Sequence, residues 1–268
     1  MTRARPMHAL SALARAALLC APLFCAAGAA AQIAPQARKS GAAFMSPQTQ
    51  AMQADDSSNP GMLAALEGES LWGQKAGAAN LACADCHQNA ETSMKGAAAR
   101  HPRFDEGAGK PVDLQGQVNS CRQTRQQAQP FPYESRELLA LVAYVGLQSR
   151  GLPVAPPDDP RLAPFVENGR ALFHRRIGQL NFACAQCHDE NWGRRLGSAL
   201  IPQGHANAYP IYRLEWQDMG SLQRRLRNCM NGVRAEPYSL GSLEFIELEL
   251  YLAERAKGMP VETPGVRP

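Results

Sequence analysis

Leu162, Phe165, Val166, Gly169, Leu172, Phe173 and Ile177 recur at spacings of three and four residues. That rhythm places them on one face of a helix. Leu63, Leu66 and Leu71 repeat it more weakly in the first half of the chain. Two further stripes close the halves: Leu138, Leu141, Val142 and Val145, then Leu243, Ile246 and Leu250 with Phe245, Leu248 and Leu252 beside them. Gly151 and Gly258 stand where C-terminal caps are expected. No segment alternates as a half-buried strand would. The pattern predicts an all-α chain of two small helical domains. Pro153, Pro156, Pro157, Pro160 and Pro164 crowd the linker between them and argue against helix there. Residues 32–61 carry Gln, Ser, Ala and Pro with little periodicity and read as an extended or poorly ordered arm.

The two halves are copies of one unit. Gly68, Leu71, Trp72, Gly77, Asn80, Ala82, Cys83, Ala84, Cys86 and His87 each stand 101 residues before Gly169, Leu172, Phe173, Gly178, Asn181, Ala183, Cys184, Ala185, Cys187 and His188. Tyr144, Gly151, Pro153 and Val154 match Tyr251, Gly258, Pro260 and Val261 at an offset of 107. The second copy therefore carries extra residues in its middle. The expected organisation is a leader at 1–31, an arm at 32–61, and domains at 62–154 and 155–268. Units of roughly 100 residues can fold alone.

Composition adds constraints. The 268 residues carry a formal net charge of +4, too little for the concentrated basic surface that nucleic acid requires. Beyond the N-terminus no apolar run approaches the roughly 20 residues of a membrane span. Arg3, Arg5 and Arg15, the apolar stretch from Ala16 to Ala27, and Ala29-Ala30-Ala31 read as a secretory signal cleaved before Gln32. Leu19 and Phe24 precede Cys20 and Cys25 where a lipoprotein anchor needs a small residue. Cleavage would leave six of the eight cysteines and a charge of +1, in the periplasm. Only 6% of residues are aromatic, so each core lacks large side chains unless something else fills it.

Cys83-Ala-Asp-Cys86-His87 and Cys184-Ala-Gln-Cys187-His188 are both C-x-x-C-H, the attachment motif for c-type haem. The two thiols form thioethers to the two vinyl groups, and the adjacent His reaches the iron. A porphyrin would also supply the missing bulk. A zinc knuckle, a thioredoxin-like pair and a disulfide compete for each motif. Two copies in duplicated, exported helical domains favour two covalently bound haem c groups, with Cys83, Cys86, Cys184 and Cys187 as attachment sites and His87 and His188 as iron ligands.

Cys121 and Cys229 remain. A disulfide between them suits an oxidising compartment. Both instead fall between a haem motif and a closing helix, 34 residues after His87 and 41 after His188, which suits a second axial ligand at each iron. Met94, His101, Met219, Met230 and His205 are rival ligands, with bis-His ligation through His101 and His205 the main alternative. A thiolate stabilises ferric iron and lowers its potential, which points away from a simple electron shuttle. Arg224, Arg225, Arg227 and Arg234 surround Cys229. In a helix Arg225 would share a face with Cys229, where Cys121 has Gln117. A guanidinium lowers a thiol pKa and grips oxyanions. A solvated basic face is the plain alternative.

The stretch Gln203-Gly-His-Ala-Asn-Ala-Tyr-Pro-Ile-Tyr-Arg-Leu-Glu-Trp-Gln217, continuing through Gly220-Ser-Leu-Gln-Arg-Arg225 to Cys229 and Val233-Arg-Ala-Glu-Pro237, resembles the SoxA family of dihaem cytochromes. The resemblance spans roughly residues 62–261 and implies two tandem cytochrome c-like domains. It implies pairing with a SoxX-like monohaem cytochrome, and an oxidative joining of thiosulfate to a cysteine of a SoxYZ-like carrier. It implies Cys229 as a catalytic axial ligand found as a persulfide, Arg225 as the active-site arginine, and Cys121 as the axial ligand of the first haem. Rival readings are a tetrathionate-forming thiosulfate dehydrogenase, which needs no carrier, and a non-enzymatic dihaem electron carrier.

Overall fold

The computed structural model describes residues 1–3 and 33–268, so the expected leader, with Cys20, Cys25 and the cleavage site, lies outside the described residues. The first half contains α1 (Pro47–Ala54), α2 (Gly61–Gly73), α3 (Cys83–His87), α4 (Ala90–Ser93), a hairpin of β1 (Arg103–Asp105) and β2 (Lys110–Val112), α5 (Leu114–Cys121) and α6 (Arg136–Leu147). The second contains α7 (Ala163–His174), α8 (Cys184–His188), β3 (Arg195–Leu196), β4 (Ala199–Leu200), β5 (Ile211–Arg213), β6 (Asp218–Gly220), α9 (Leu222–Gly232), α10 (Leu243–Ala256) and β7 (Gly265–Arg267). Hydroxyl or carboxylate N-caps start four of the longer helices. Asp113 opens α5, Ser135 α6, Ser221 α9 and Ser242 α10, each accepting from an N–H of the first turn. Pro164 lies in the first turn of α7, where its missing N–H costs nothing, so the linker prolines start a helix as well as blocking one.

Each half is framed by its opening helix against its closing helix. Glycine lets their backbones touch. A Cβ on Gly68 would lie 2.0 Å from the Ala140 carbonyl oxygen, and one on Gly169 would lie 2.0 Å from that of Glu247. Beside these contacts the same aromatic pair recurs, Trp72 with Tyr144 at 6.0 Å and Phe173 with Tyr251 at 5.4 Å. The buried face of α2 is Gly61, Ala65, Gly68 and Trp72. Leu63 and Leu66, expected on that face, are 72% and 58% exposed. Small residues win the inner face because the helices approach so closely.

The expectation of an all-α chain omits seven short strands among the described residues. Two antiparallel pairs, β1–β2 and β3–β4, and a three-stranded sheet in the order β6-β5-β7 connect the helices. Strands of two or three residues are too short to show alternation. The hairpin also belongs to the repeat. Residues β1 and β2 stand 108 before β5 and β6, as Asp113 does before Ser221 and Cys121 before Cys229. Farther on, Gly77 approaches the Gln126 carbonyl and Gly178 that of Val233, at an offset of 107. A π-helical turn at Arg122–Gln126 absorbs the one extra residue, so Cys121 and Cys229 are true counterparts.

The halves meet about a local two-fold. Pro153 bridges Pro260, its own counterpart, with Val154 N–H donating to Met259 O (2.8 Å) and Val261 N–H to Leu152 O (2.9 Å). Ala99, Val154, Ala253, Ala256, Met259 and Val261 cluster there. Gly151 and Gly258 take left-handed φ beyond α6 and α10 and donate into this junction. The arm expected to be extended or poorly ordered is folded onto the second half. Gln203 accepts from Lys39 N–H (2.6 Å) and donates to Ala37 O (3.1 Å), while Asn59 donates to Pro264 O (2.9 Å). Polar side chains hold it, which hydrophobic periodicity cannot reveal.

Candidate functional site

The two C-x-x-C-H motifs are the helices α3 and α8. In each, the residue between the cysteines reaches back over the helix start. Asp85 Oδ2 accepts from Ala82 N–H at 2.8 Å, and Gln186 Oε1 accepts from Ala183 N–H at 2.9 Å. Thiols three positions apart share one helix face, with the imidazole on the next residue.

The second site is the more closely built. His188 Nδ1 lies 2.7 Å from the Pro202 carbonyl oxygen. A carbonyl only accepts, so Nδ1 carries the proton and Nε2 is left free. Gly204 lets the loop close on the ring, since a Cβ there would lie 2.9 Å from His188 Cγ. Arg255 on α10 pairs with Asp189, the residue after His188, at 2.6 Å, with both side chains under 5% exposed, and donates to Gln203 O at 3.2 Å. The imidazole lies close enough to the Cys229 sulfur to act on it.

Arg225 lies one turn before Cys229 on α9. Burial pushes the Cys229 thiol up. The neighbouring His188 imidazole and the charges of Arg225 and Arg213 outweigh burial and bring it down to about 7. Burial, with the Cys229 charge, pushes Cys184 up to about 12 and raises Cys187. Of the three thiols gathered here, Cys229 is the one held as a thiolate near neutrality, as a nucleophile or iron ligand requires.

The first site has the same parts with weaker support. Gln117 Nε2 approaches Cys121 Sγ at 3.6 Å, where the second site has Arg225. Cys121 lies near enough to Cys83 for its charge to raise that thiol. His87 is exposed, stacked at 5.7 Å on Trp72, and among the described residues no carbonyl bonds its ring.

The donor chemistry fits a covalent haem at both sites. Each has two thiols for vinyl groups, one imidazole, and one further thiol from a separate helix. Among the described residues no three His, Cys, Asp or Glu side chains converge on a bare metal ion. Cys121 and Cys229 are free, so no disulfide joins them. His101 and His205 are not counterparts, because His101 precedes β1 where Tyr209 precedes β5. His101 Nδ1 lies 2.8 Å from Ala97 O, and its Nε2 is buried without a partner among the described residues. His205 Nε2 contacts Gln203 Oε1 at 3.2 Å. Met219 and Met230 lie in apolar clusters, and Met94 packs beside Trp72.

Sequence reasoning passed over Pro202, Tyr209, Arg213 and the Arg255–Asp189 pair. Arg213 and Tyr209 lie inside the Gln203–Gln217 stretch, but nothing in their spacing to Cys229 marks them. The basic cluster divides in the structure. Arg225 and Arg213 act on Cys229, whereas Arg224 is tied to Asp218 at 3.2 Å and to Met219 O at 2.9 Å.

The family model for the SoxA/TsdA cytochrome c domain matches the chain twice, over residues 67–154 and 168–261. The L-cysteine S-thiosulfotransferase subunit SoxA of Pseudaminobacter salicylatoxidans is 39% identical over 85% of this chain and 80% of its own length. The same-named subunit of Paracoccus pantotrophus is 36% identical over 85% of this chain and 78% of its own. The crystal structure of SoxXA from P. pantotrophus matches with a TM-score of 0.83 and 35% identity, over 86% of this chain and 87% of that one.

Proposed function

Since the chain belongs to the SoxA/TsdA cytochrome c family, we propose that it is the SoxA-type subunit of an L-cysteine S-thiosulfotransferase. The single observation that carries the reading is the asymmetry of the repeat. One half surrounds its cysteine with Arg225, Arg213 and a fixed His188, and the other offers Gln117. The names of the relatives favour a carrier-linked transfer over tetrathionate formation or a purely electron-carrying role.

The reaction joins thiosulfate to a carrier cysteine. The Arg225 guanidinium binds the sulfonate end and turns the terminal sulfur toward Cys229. The Cys229 thiolate and the terminal sulfur form an S–S bond, giving a Cys229 S-thiosulfonate and releasing two electrons. The carrier thiolate then attacks that terminal sulfur. The bond to Cys229 breaks, Cys229 leaves as thiolate, and the carrier keeps the S-thiosulfonate. A haem held at Cys184, Cys187 and His188 would supply the electron acceptor and the route outward.

The same reading gives two haems, one at Cys83, Cys86, His87 and Cys121, the other at Cys184, Cys187, His188 and Cys229. It gives a SoxX-like cytochrome as partner, a SoxYZ-like protein as carrier, and the periplasm as compartment. Domains at 62–154 and 155–268, preceded by a leader at 1–31 and an arm at 32–61, complete it. Among the described residues no helix is long and apolar enough to cross a membrane. The test is thiosulfate-dependent turnover with carrier and an electron acceptor. Cys229→Ala should abolish it, and a variant retaining full turnover would falsify the reading.

A further inference from the structure

Arg213 ends β5, and no role in the chemistry above is assigned to it. Its side chain is only 16% exposed. One end is anchored, with Nη2 2.7 Å from Glu215 Oε2. Its guanidinium carbon lies 5.2 Å from the centre of the Trp216 ring, against which Arg224 also packs at 4.3 Å. Its Nε is buried and has no hydrogen-bond partner among the described residues. A buried donor without an acceptor is costly, more so on a charged group, so it needs a reason.

The surroundings supply one. Arg213 lies near enough to Arg225 to feel its charge, and both act on Cys229. Tyr209 lies within reach of the same three groups. Two guanidinium groups brought together in a partly buried site repel, and one carboxylate, Glu215, serves both. An oxyanion with several acceptor oxygens would occupy the free Nε and offset the repulsion. The first half lacks this arrangement. Its counterpart of Arg213 is Asp105, and of Arg225 is Gln117.

We propose that Arg213 is a second substrate-binding residue of the Cys229 site, gripping the sulfonate oxygens of thiosulfate jointly with Arg225. Glu215 and Trp216 hold Arg213 in place and leave its Nε side for the anion. The assignment rests on the thiosulfate reading and adds a residue that sets affinity for a tetrahedral dianion.

The experiment compares wild type, Arg213→Gln, Arg213→Lys and Glu215→Gln as intact holoproteins with the cytochrome partner. Thiosulfate binding is read by calorimetry and turnover by steady-state kinetics. Losing one charge-assisted hydrogen bond of about 1.5–3 kcal/mol corresponds to roughly 10- to 100-fold. Arg213→Gln should weaken thiosulfate binding and raise KM by that factor, with kcat within about threefold. Arg213→Lys should recover part of the loss, and Glu215→Gln, whose amide oxygen still accepts from Arg213 Nη2 but whose negative charge is gone, should tighten binding. Wild-type affinity in Arg213→Gln overturns the assignment. So does weakened binding in both Arg213→Gln and Glu215→Gln, which would mark the pair as structural support. If wild type neither binds nor turns over thiosulfate, the substrate reading itself fails, an outcome separate from either of these.

Discussion

His188 Nδ1 donates to the Pro202 carbonyl at 2.7 Å, and His87, its counterpart in the repeat, has no such bond among the described residues. One imidazole is locked in tautomer and direction, and the other stands exposed against Trp72. The lock is held from below by Arg255, which pairs with Asp189 and bonds the Gln203 carbonyl next to Pro202. Replacing Arg255 strands a buried carboxylate. Breaking such a pair costs about 3–5 kcal/mol. Arg255→Gln should lower stability by that order in chemical denaturation. It should also broaden the ligand-field spectrum of a haem held by His188 while leaving unchanged that of one held by His87. A variant as stable as wild type would show that Asp189 finds another partner.

Arg225 and Gln117 occupy matching places, so exchanging them separates the roles of the two sites. Arg225→Gln should cut thiosulfate turnover at least 10- to 100-fold, the worth of about one or two charged hydrogen bonds. Gln117→Ala should leave turnover nearly unchanged. Equal losses in the two variants would mean that the halves share the chemistry, contrary to the asymmetry seen around their cysteines.

Gly68 and Gly169 set the distance between opening and closing helices. A methyl group at either would sit 2.0 Å from a backbone oxygen, and backbone cannot swing aside as a side chain does. Overpacking usually costs about 1–3 kcal/mol and here should reach or exceed the upper end. Gly169→Ala should destabilise the fold by about 3 kcal/mol in urea titration and displace Tyr251, whose Cβ lies 2.9 Å from the added atom. Gly193→Ala, where nothing lies within 4 Å but φ is positive, should cost less and serves as the control.

How much of this was legible in sequence depends on the kind of force involved. The repeat, the two motifs and the helices that face one another were readable because covalent attachment and helix periodicity impose fixed spacings. Cys121 and Cys229 could be matched by position, but their offset of 108 against 107 elsewhere makes sense only with the π-helical turn after Cys121. Leu63 and Leu66 misled, because close glycine contact at Gly68 turned the inner face of α2 over to small residues. The arm, the Pro202 carbonyl and the Arg255–Asp189 pair were invisible, since each is one polar contact between residues far apart in the chain. Arg213 was hidden differently, within a stretch whose likeness to a family was plain but whose members were not separable by spacing.

The junction between the halves carries a buried acidic cluster that makes stability depend on pH. Asp113 caps α5 and accepts from Tyr133 Oη (2.9 Å) and Gln223 Nε2 (3.1 Å). Glu249 lines the same cavity of about 120 Å³, together with His101 and Gln115. Burial raises Asp113 above the usual carboxylate range, against the pull of its hydrogen bonds. Burial and the Asp113 charge raise Glu249 well above it. The folded state therefore keeps protons that the unfolded chain releases. Stability is fully present below the ordinary carboxylate values of 3.8 and 4.5, and it is lost as pH rises through the elevated folded values. Glu249→Gln preserves the shape and removes one of the two charges that must be neutralised. Its unfolding midpoint should exceed that of wild type at pH 8, fall level with it near pH 4, and vary less with pH between them. A wild-type profile that instead gains stability toward pH 8, unchanged in the variant, would show that both carboxylates are ionised and paired in the folded protein.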